Sequence, residues 1–251
     1  MNPLPDNLRI LVFSAHVADF CSRCGGTLAL YTCSDVKVHV VCLTFGERGE
    51  SEDYWRQVRE TSVSDAKQTR RLEAEAAARV LGTSIQFMDF QDYPLEIDRE
   101  RIESLARIIR EHRPNIILTH WKDDPHNVDH EVTSASVMRA ADIAAVPGFD
   151  PLVTDVLRVP HMFGFEPTVP RDDDTGFVPD TYVDIAATFE AKLEALEKMP
   201  SQLMLRDRYT MWGKYRGAQA TQWSGRTIIY AEAFKRITAA VGNRLPVIDP
   251  G

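Results

Sequence analysis

Four short apolar runs, each followed by a stretch that a helix or a ligand-binding loop can fill, constrain this chain more than any other feature. They fall at residues 8–13, 37–44, 85–90 and 115–120. Their length and their β-branched and aromatic content suit strands buried on both faces. Helical patterns alternate with them, at 26–31, at 69–81 ending on Gly82, at 99–112 ahead of Pro114, at 131–144 and at 187–199. In the third of these, Ile102, Leu105, Ala106, Ile108 and Ile109 share one face. Strand and helix in alternation predict an α/β fold, a Rossmann-like, mostly parallel sheet with helices on both faces. Shorter strands are expected at 159–165, carrying His161, and at 182–185. Residues 51–67 read as a lid that turns helical, and 171–174 as an acidic surface turn.

The 251 residues, 44% hydrophobic, are expected to form one domain spanning 1–251. A net charge of −8 excludes general binding to nucleic acid or anionic membranes. It leaves room for a small anionic substrate held by a few local arginines. No apolar stretch approaches the ~20 residues that span a bilayer, and the first six residues carry no signal-like pattern. A cytoplasmic protein is expected. The four cysteines do not suggest a disulfide framework. Cys21 and Cys24 form a C-x-x-C without a second pair, and read as two small thiols at a helix start. His39 reads as an edge or packing residue, and His126 as solvent-facing or as a support behind the ligands rather than a ligand itself.

In an open parallel sheet, ligands bind beyond the carboxyl ends of the strands. His16 and Asp19 stand on the loop after the first run; Asp123, Asp124, His126, Asp129 and His130 follow the fourth. A histidine and an aspartate three apart can offer an imidazole and a carboxylate to one metal ion, and a catalytic zinc usually takes a third protein ligand. The loop after the second run carries Glu47, Arg48 and Glu50 between glycines that allow close approach to a ligand.

In order and spacing these pieces resemble the PIG-L/LmbE-like family, which includes zinc-dependent N-acetylglucosaminyl deacetylases. Ala15-His16-Val17-Ala18-Asp19 matches its A-H-P-D-D, and Gly25-Gly26-Thr27 its G-G-T. Gly46-Glu47, Arg70 with Glu73, Leu81-Gly82, Asn127-Val128-Asp129-His130, Lys192 and Ser201-Gln202 match its later landmarks. The resemblance covers most of the chain. It implies His16, Asp19 and His130 as metal ligands, with the remaining positions open to water and substrate. Zn2+ is expected, and Fe2+ or Co2+ suits the same donors.

Two departures matter. The deacetylase base is replaced by Ala18, whose methyl cannot take a proton, and the first histidine of H-x-D-H is Asn127. Both residues 14–20 and residues 45–51 resemble the 4-oxalomesaconate (4-carboxy-2-hydroxymuconate) hydratase branch of the family. That branch adds water to an unsaturated tricarboxylate in gallate and protocatechuate 4,5-cleavage catabolism, giving 4-carboxy-4-hydroxy-2-oxoadipate. The resemblance implies a glutamate as water activator, Glu47 ahead of Glu50, and His161 as acid. Arg48, Arg70, Asn127 and Asp92 are the expected substrate contacts. A homo-oligomer is expected. The rival readings are a deacetylase with a relocated base and a non-catalytic anion-binding protein.

Overall fold

The computed structural model describes residues 7–149, 158–169, 175–239 and 241. Its centre is a seven-stranded sheet, and the alternation seen in the sequence explains most of it. Strands β1 (Arg9–Ser14), β2 (Lys37–Cys42), β3 (Ser84–Phe87), β4 (Ile116–His120) and β5 (His161–Phe165) are parallel. Two further strands, β6 (Thr181–Asp184) and β7 (Ala231–Arg236), extend the sheet by antiparallel pairing to give the order β3-β2-β1-β4-β5-β7-β6. Side chains along a strand point to alternate faces, so β1 and β2 feed two cores. Ile10, Val12, Val38 and Val40 pack under helices α1 (Asp19–Thr32), α3 (Val63–Leu81), α6 (Phe189–Glu197) and α7 (Leu205–Ser224). Leu11, Phe13, Val41 and Leu43 pack under α4 (Arg99–His112) and α5 (Val128–Ala144).

The region expected as a lid folds into α2 (Glu52–Gln57) and the first turn of α3, which starts six residues earlier than the sequence pattern shows. The reason is local: Ser62 and Asp65 form a reciprocal capping box. At the far end Gly82 closes α3 in the left-handed region, with φ +69°. Helix α7, twenty residues long, was not expected. Its Met211, Tyr215 and Trp223 are exposed, so its apolar residues do not collect on one face. The acidic turn at 171–174 lies outside the described residues. Among the described residues no helix is long and apolar enough to cross a membrane.

The G-G-T segment of α1 has a packing reason. A Cβ on Gly26 would stand 2.7 Å from the Ile185 side chain. That close approach lets the buried Glu232 of β7 accept the backbone N–H groups of Gly26 at 2.9 Å and Thr27 at 2.7 Å. Glu232 also accepts from the Lys192 ammonium at 2.6 Å. A buried carboxylate and ammonium are thereby paired and hydrogen-bonded, the condition under which burial of charge is tolerated.

Candidate metal centre

The carboxyl ends of β1, β2 and β4 meet at one buried cluster. The β1–α1 turn brings His16 and, in the first turn of α1, Asp19; the loop after β2 brings Glu50; the first turn of α5 brings His130. One ligand atom from each of these four lies within 4.8 Å of the others. His16 Nδ1 stands 3.3 Å from Glu50 Oε1 and 3.5 Å from Asp19 Oδ2. His130 Nε2 stands 3.5 Å from Asp19 Oδ1 and 3.7 Å from Glu50 Oε1.

Each imidazole turns one nitrogen to this cluster and gives the other to a carboxylate. His16 Nε2 meets Asp129 Oδ2 at 3.2 Å, and His130 Nδ1 meets Asp124 Oδ2 at 2.8 Å. Both carboxylates are themselves fixed: Asp129 accepts the N–H groups of Tyr93 and Leu95, and Asp124 accepts the N–H and the hydroxyl of Thr168. Carboxylate–histidine pairs of this kind orient metal-ligating imidazoles. The nitrogens facing the cluster, His16 Nδ1 and His130 Nε2, are buried without a hydrogen-bond partner. Two unpartnered imidazole nitrogens and two carboxylates around one point fit a divalent cation.

The electrostatics agree. Burial alone would lower the pKa of His16, but the Glu50 charge, the hydrogen bond with Asp129 and the nearby Asp19 carboxylate leave it well above the usual histidine range. His130 likewise overcomes burial, through Asp19 and Asp124, and is held at about 9. Both shifts report a surplus of negative charge at the cluster. His120, the last residue of β4, goes the other way: burial and the neighbouring His130 push it down to about 3. Its ring stacks on His130 with centroids 3.9 Å apart, and Nε2 accepts the Ala15 N–H at 3.0 Å. In the sequence His120 reads as a strand end, and only the register of β4 beside β1 shows that it underlies the cluster.

Of the residues singled out in the sequence, His16, Asp19, His130, Glu50 and Asn127 come together, with Asn127 Nδ2 donating to Glu50 Oε1 at 3.0 Å. Glu47 is fully buried and turned elsewhere: its carboxylate faces Lys67 at 3.4 Å and the Phe45 N–H at 3.3 Å. Burial and the nearby Asp92 charge raise its pKa. Asp92 accepts the N–H groups of Arg48 and Gly49, so it shapes the loop, while the Arg48 side chain is exposed.

Two of the expected residues stand away from the cluster. Arg70 was expected to grip substrate, but it is fully buried. Its guanidinium donates to the Phe45 carbonyl, Glu73 Oε2 and Gln202 Oε1, while Glu73 Oε1 accepts from Ser201. Arg70, Glu73, Ser201 and Gln202 therefore form one brace that pins the loop after β2. His161 was expected as the acid, but it is the exposed first residue of β5 and pairs with Ile116, the first of β4. Four residues of strand, roughly 13 Å, separate that end from His120. A strand's two ends face opposite sides of the sheet's edge, which one sequence run cannot reveal.

This sheet carries the candidate cation cluster at the carboxyl ends of its central strands. The family model for PIG-L, GlcNAc-PI de-N-acetylase, matches residues 11–141, and the chain belongs to that family. Within it, the chain is 38% identical to the 4-oxalmesaconate hydratase of Pseudomonas putida KT2440, over 94% of this chain and 91% of the relative. The crystal structure of GalB, the 4-carboxy-2-hydroxymuconate hydratase from Pseudomonas putida KT2440, superposes with a TM-score of 0.90 at 36% identity, covering 95% of this chain and all of that one. The diacetylchitobiose deacetylase of Thermococcus kodakarensis is 27% identical over 85% of this chain and 76% of its own length.

Proposed function

We propose that this chain is a metal-dependent hydro-lyase that adds water to 4-oxalomesaconate (4-carboxy-2-hydroxymuconate) to give 4-carboxy-4-hydroxy-2-oxoadipate, in gallate and protocatechuate 4,5-cleavage catabolism. The observation that carries this reading is the 38% identity with a 4-oxalmesaconate hydratase across nearly the full length of both chains. The site is consistent with it. Ala18 is buried beside Asp19 and leaves no proton acceptor where the deacetylases of the family have theirs.

His16 Nδ1, Asp19 and His130 Nε2 would hold a divalent cation, with Zn2+ the first choice for this nitrogen and oxygen set and Fe2+ or Co2+ able to take it. When bound, such an ion lowers the pKa of a coordinated water and polarises a substrate oxygen. Glu50 is the water-activating base in this reading. Its side chain is 15% exposed, so it alone of the four cluster residues keeps a path to incoming substrate. Asn127 orients the Glu50 carboxylate. Glu50 takes the proton of the water as oxygen bonds to one alkene carbon, and the resulting carboxyl holds the proton that the neighbouring carbon requires. Glu47, Asp92 and Arg70 keep the loop that carries Glu50 in place. A homo-oligomer and a cytoplasmic location belong to the same proposal, the first of them read by light scattering.

The test follows the absorbance of enzymatically prepared 4-carboxy-2-hydroxymuconate. Purified protein is expected to remove it, to stop with a chelator and to recover with Zn2+. Release of free amine from N-acetylglucosamine conjugates, with no loss of the muconate, would overturn the reading in favour of a deacetylase. Tight tricarboxylate binding without turnover would favour a non-catalytic binder.

A further inference from the structure

The cluster holds more negative charge than one divalent ion cancels. Asp19, Glu50, Asp124 and Asp129 all lie within 3.7 Å of the His16 or His130 imidazole. A divalent ion leaves two of these four charges in excess. A trianion entering such a site would meet repulsion. One buried guanidinium stands against the set: Arg23, one turn beyond Asp19 on α1 and 6% exposed. Its Nε lies 3.8 Å from Asp19 Oδ1. Nη2 donates at 3.2 Å to Thr168 Oγ1, which donates to Asp124 Oδ2, the same oxygen that His130 Nδ1 meets. Nη1 donates to the Glu166 carbonyl at 2.6 Å.

Hydrogen bonding alone does not explain an arginine here. Nε is buried and makes no hydrogen bond, so the group is incompletely used as a brace. Burying a guanidinium is costly unless opposite charge surrounds it, and here Asp19 is in salt-bridge range while Asp124 is one hydroxyl away. We infer that Arg23 is a specificity-determining residue, whose fixed positive charge trims the excess at the cation cluster so that a polyanionic substrate is admitted. The inference rests on the tricarboxylate reading given above.

The two roles open to Arg23 predict opposite outcomes for the metal. If it supplies charge, Arg23→Gln makes the cradle more negative, and the variant binds a cation more tightly. If it is a brace, the same variant loses order and binds the cation less well. The experiment titrates metal-free wild type, Arg23→Gln, Arg23→Met and Arg23→Lys with Co2+ and reads its visible absorption, then measures KM and kcat on the Zn2+-loaded proteins. A unit charge acting over ~8 Å at an effective dielectric of ~20 corresponds to roughly a 30-fold change in binding.

Expected, then, are Co2+ affinity raised at least about tenfold in the neutral variants and KM for the tricarboxylate raised roughly 30-fold, with kcat changed less. Arg23→Lys should restore both to within about threefold. A dicarboxylate analogue should lose less than the tricarboxylate. Weaker Co2+ binding in the neutral variants, no rescue by lysine, or an unchanged KM would overturn the inference. So would failure of both neutral variants to fold where Arg23→Lys folds, since the charge would then serve stability. A wild type that binds Co2+ but does not hydrate sinks the functional proposal and leaves the affinity arm standing. A wild type that hydrates, paired with a neutral variant of weakened Co2+ affinity, sinks this inference alone.

Discussion

Position 18 holds a methyl group next to Asp19, in the residue just before α1. Restoring a carboxylate there would add a further negative charge beside the cluster. At ~4 Å and an effective dielectric of ~20, repulsion of a substrate carboxylate amounts to roughly 4 kcal/mol. Ala18→Asp should therefore lower kcat/KM for hydration by about a thousandfold, and steady-state kinetics on the folded variant checks it; normal hydration would remove the explanation. The two loop glutamates separate just as directly. Glu50→Gln should reduce kcat by about 10²–10⁴-fold, the usual worth of a general base, whereas Glu47→Gln, facing Lys67 away from the cluster, should leave kcat within about tenfold. At this scale the sequence was legible where donors sit on one turn or one helix start. His16 with Asp19 and Asn127 with His130 are local patterns that survive without knowledge of the sheet. His120 meets Ala15, 105 residues earlier, and Arg23 meets Glu166, 143 residues later, and nothing near them in the chain announces those partners.

Elements carry the next level of support. The Arg70–Glu73 pair ties α3 to the loop after β2 and to the turn at Ser201 and Gln202. Arg70→Met would leave Glu73 buried without its cation, a loss of about 3–5 kcal/mol, so denaturant unfolding should show a clear fall in stability, with any loss of activity following from it. On β2, His39 bridges to Ser84 and Gln86 of β3 and stacks on His112 with ring centroids 4.1 Å apart. Burial, and secondarily the His112 charge, hold its pKa below the ordinary histidine value. The folded chain then binds fewer protons at this site than the unfolded chain. Its contribution is complete above the unfolded pKa of about 6.5 and is lost as pH falls below that value. Between pH 7.5 and 5.5 the melting temperature of His39→Gln should therefore change more favourably than that of wild type, and thermal melts of the two proteins across this window check it. The parallel strands and α4 were plain in the sequence because each obeys one period throughout. Helix α7 was not, because its Met211, Tyr215 and Trp223 face water while Leu205, Tyr209 and Ala220 are buried, which blurs any single stripe.

For the molecule as a whole, a cation held by this cluster would be a ligand of the folded state only. At a free concentration a hundred times its dissociation constant, it adds about 2.7 kcal/mol to stability. A chelator should lower the unfolding midpoint measurably and Zn2+ should restore it; calorimetry in the two conditions checks this, and equal midpoints would count against the cradle. The parallel α/β architecture was readable from the order of runs, while the antiparallel pairing of β6 and β7 was not, since a strand's direction depends on which neighbour it finds. That same late strand has a wider consequence. Every cluster donor is encoded by residue 130, yet the carboxylate gripping the middle of α1 arrives only at Glu232. As the chain emerges from synthesis, the side chains of the candidate cation cluster are all present a hundred residues before the carboxylate that grips α1. A chain ending before Glu232 would carry every residue of that cluster without the carboxylate that holds α1.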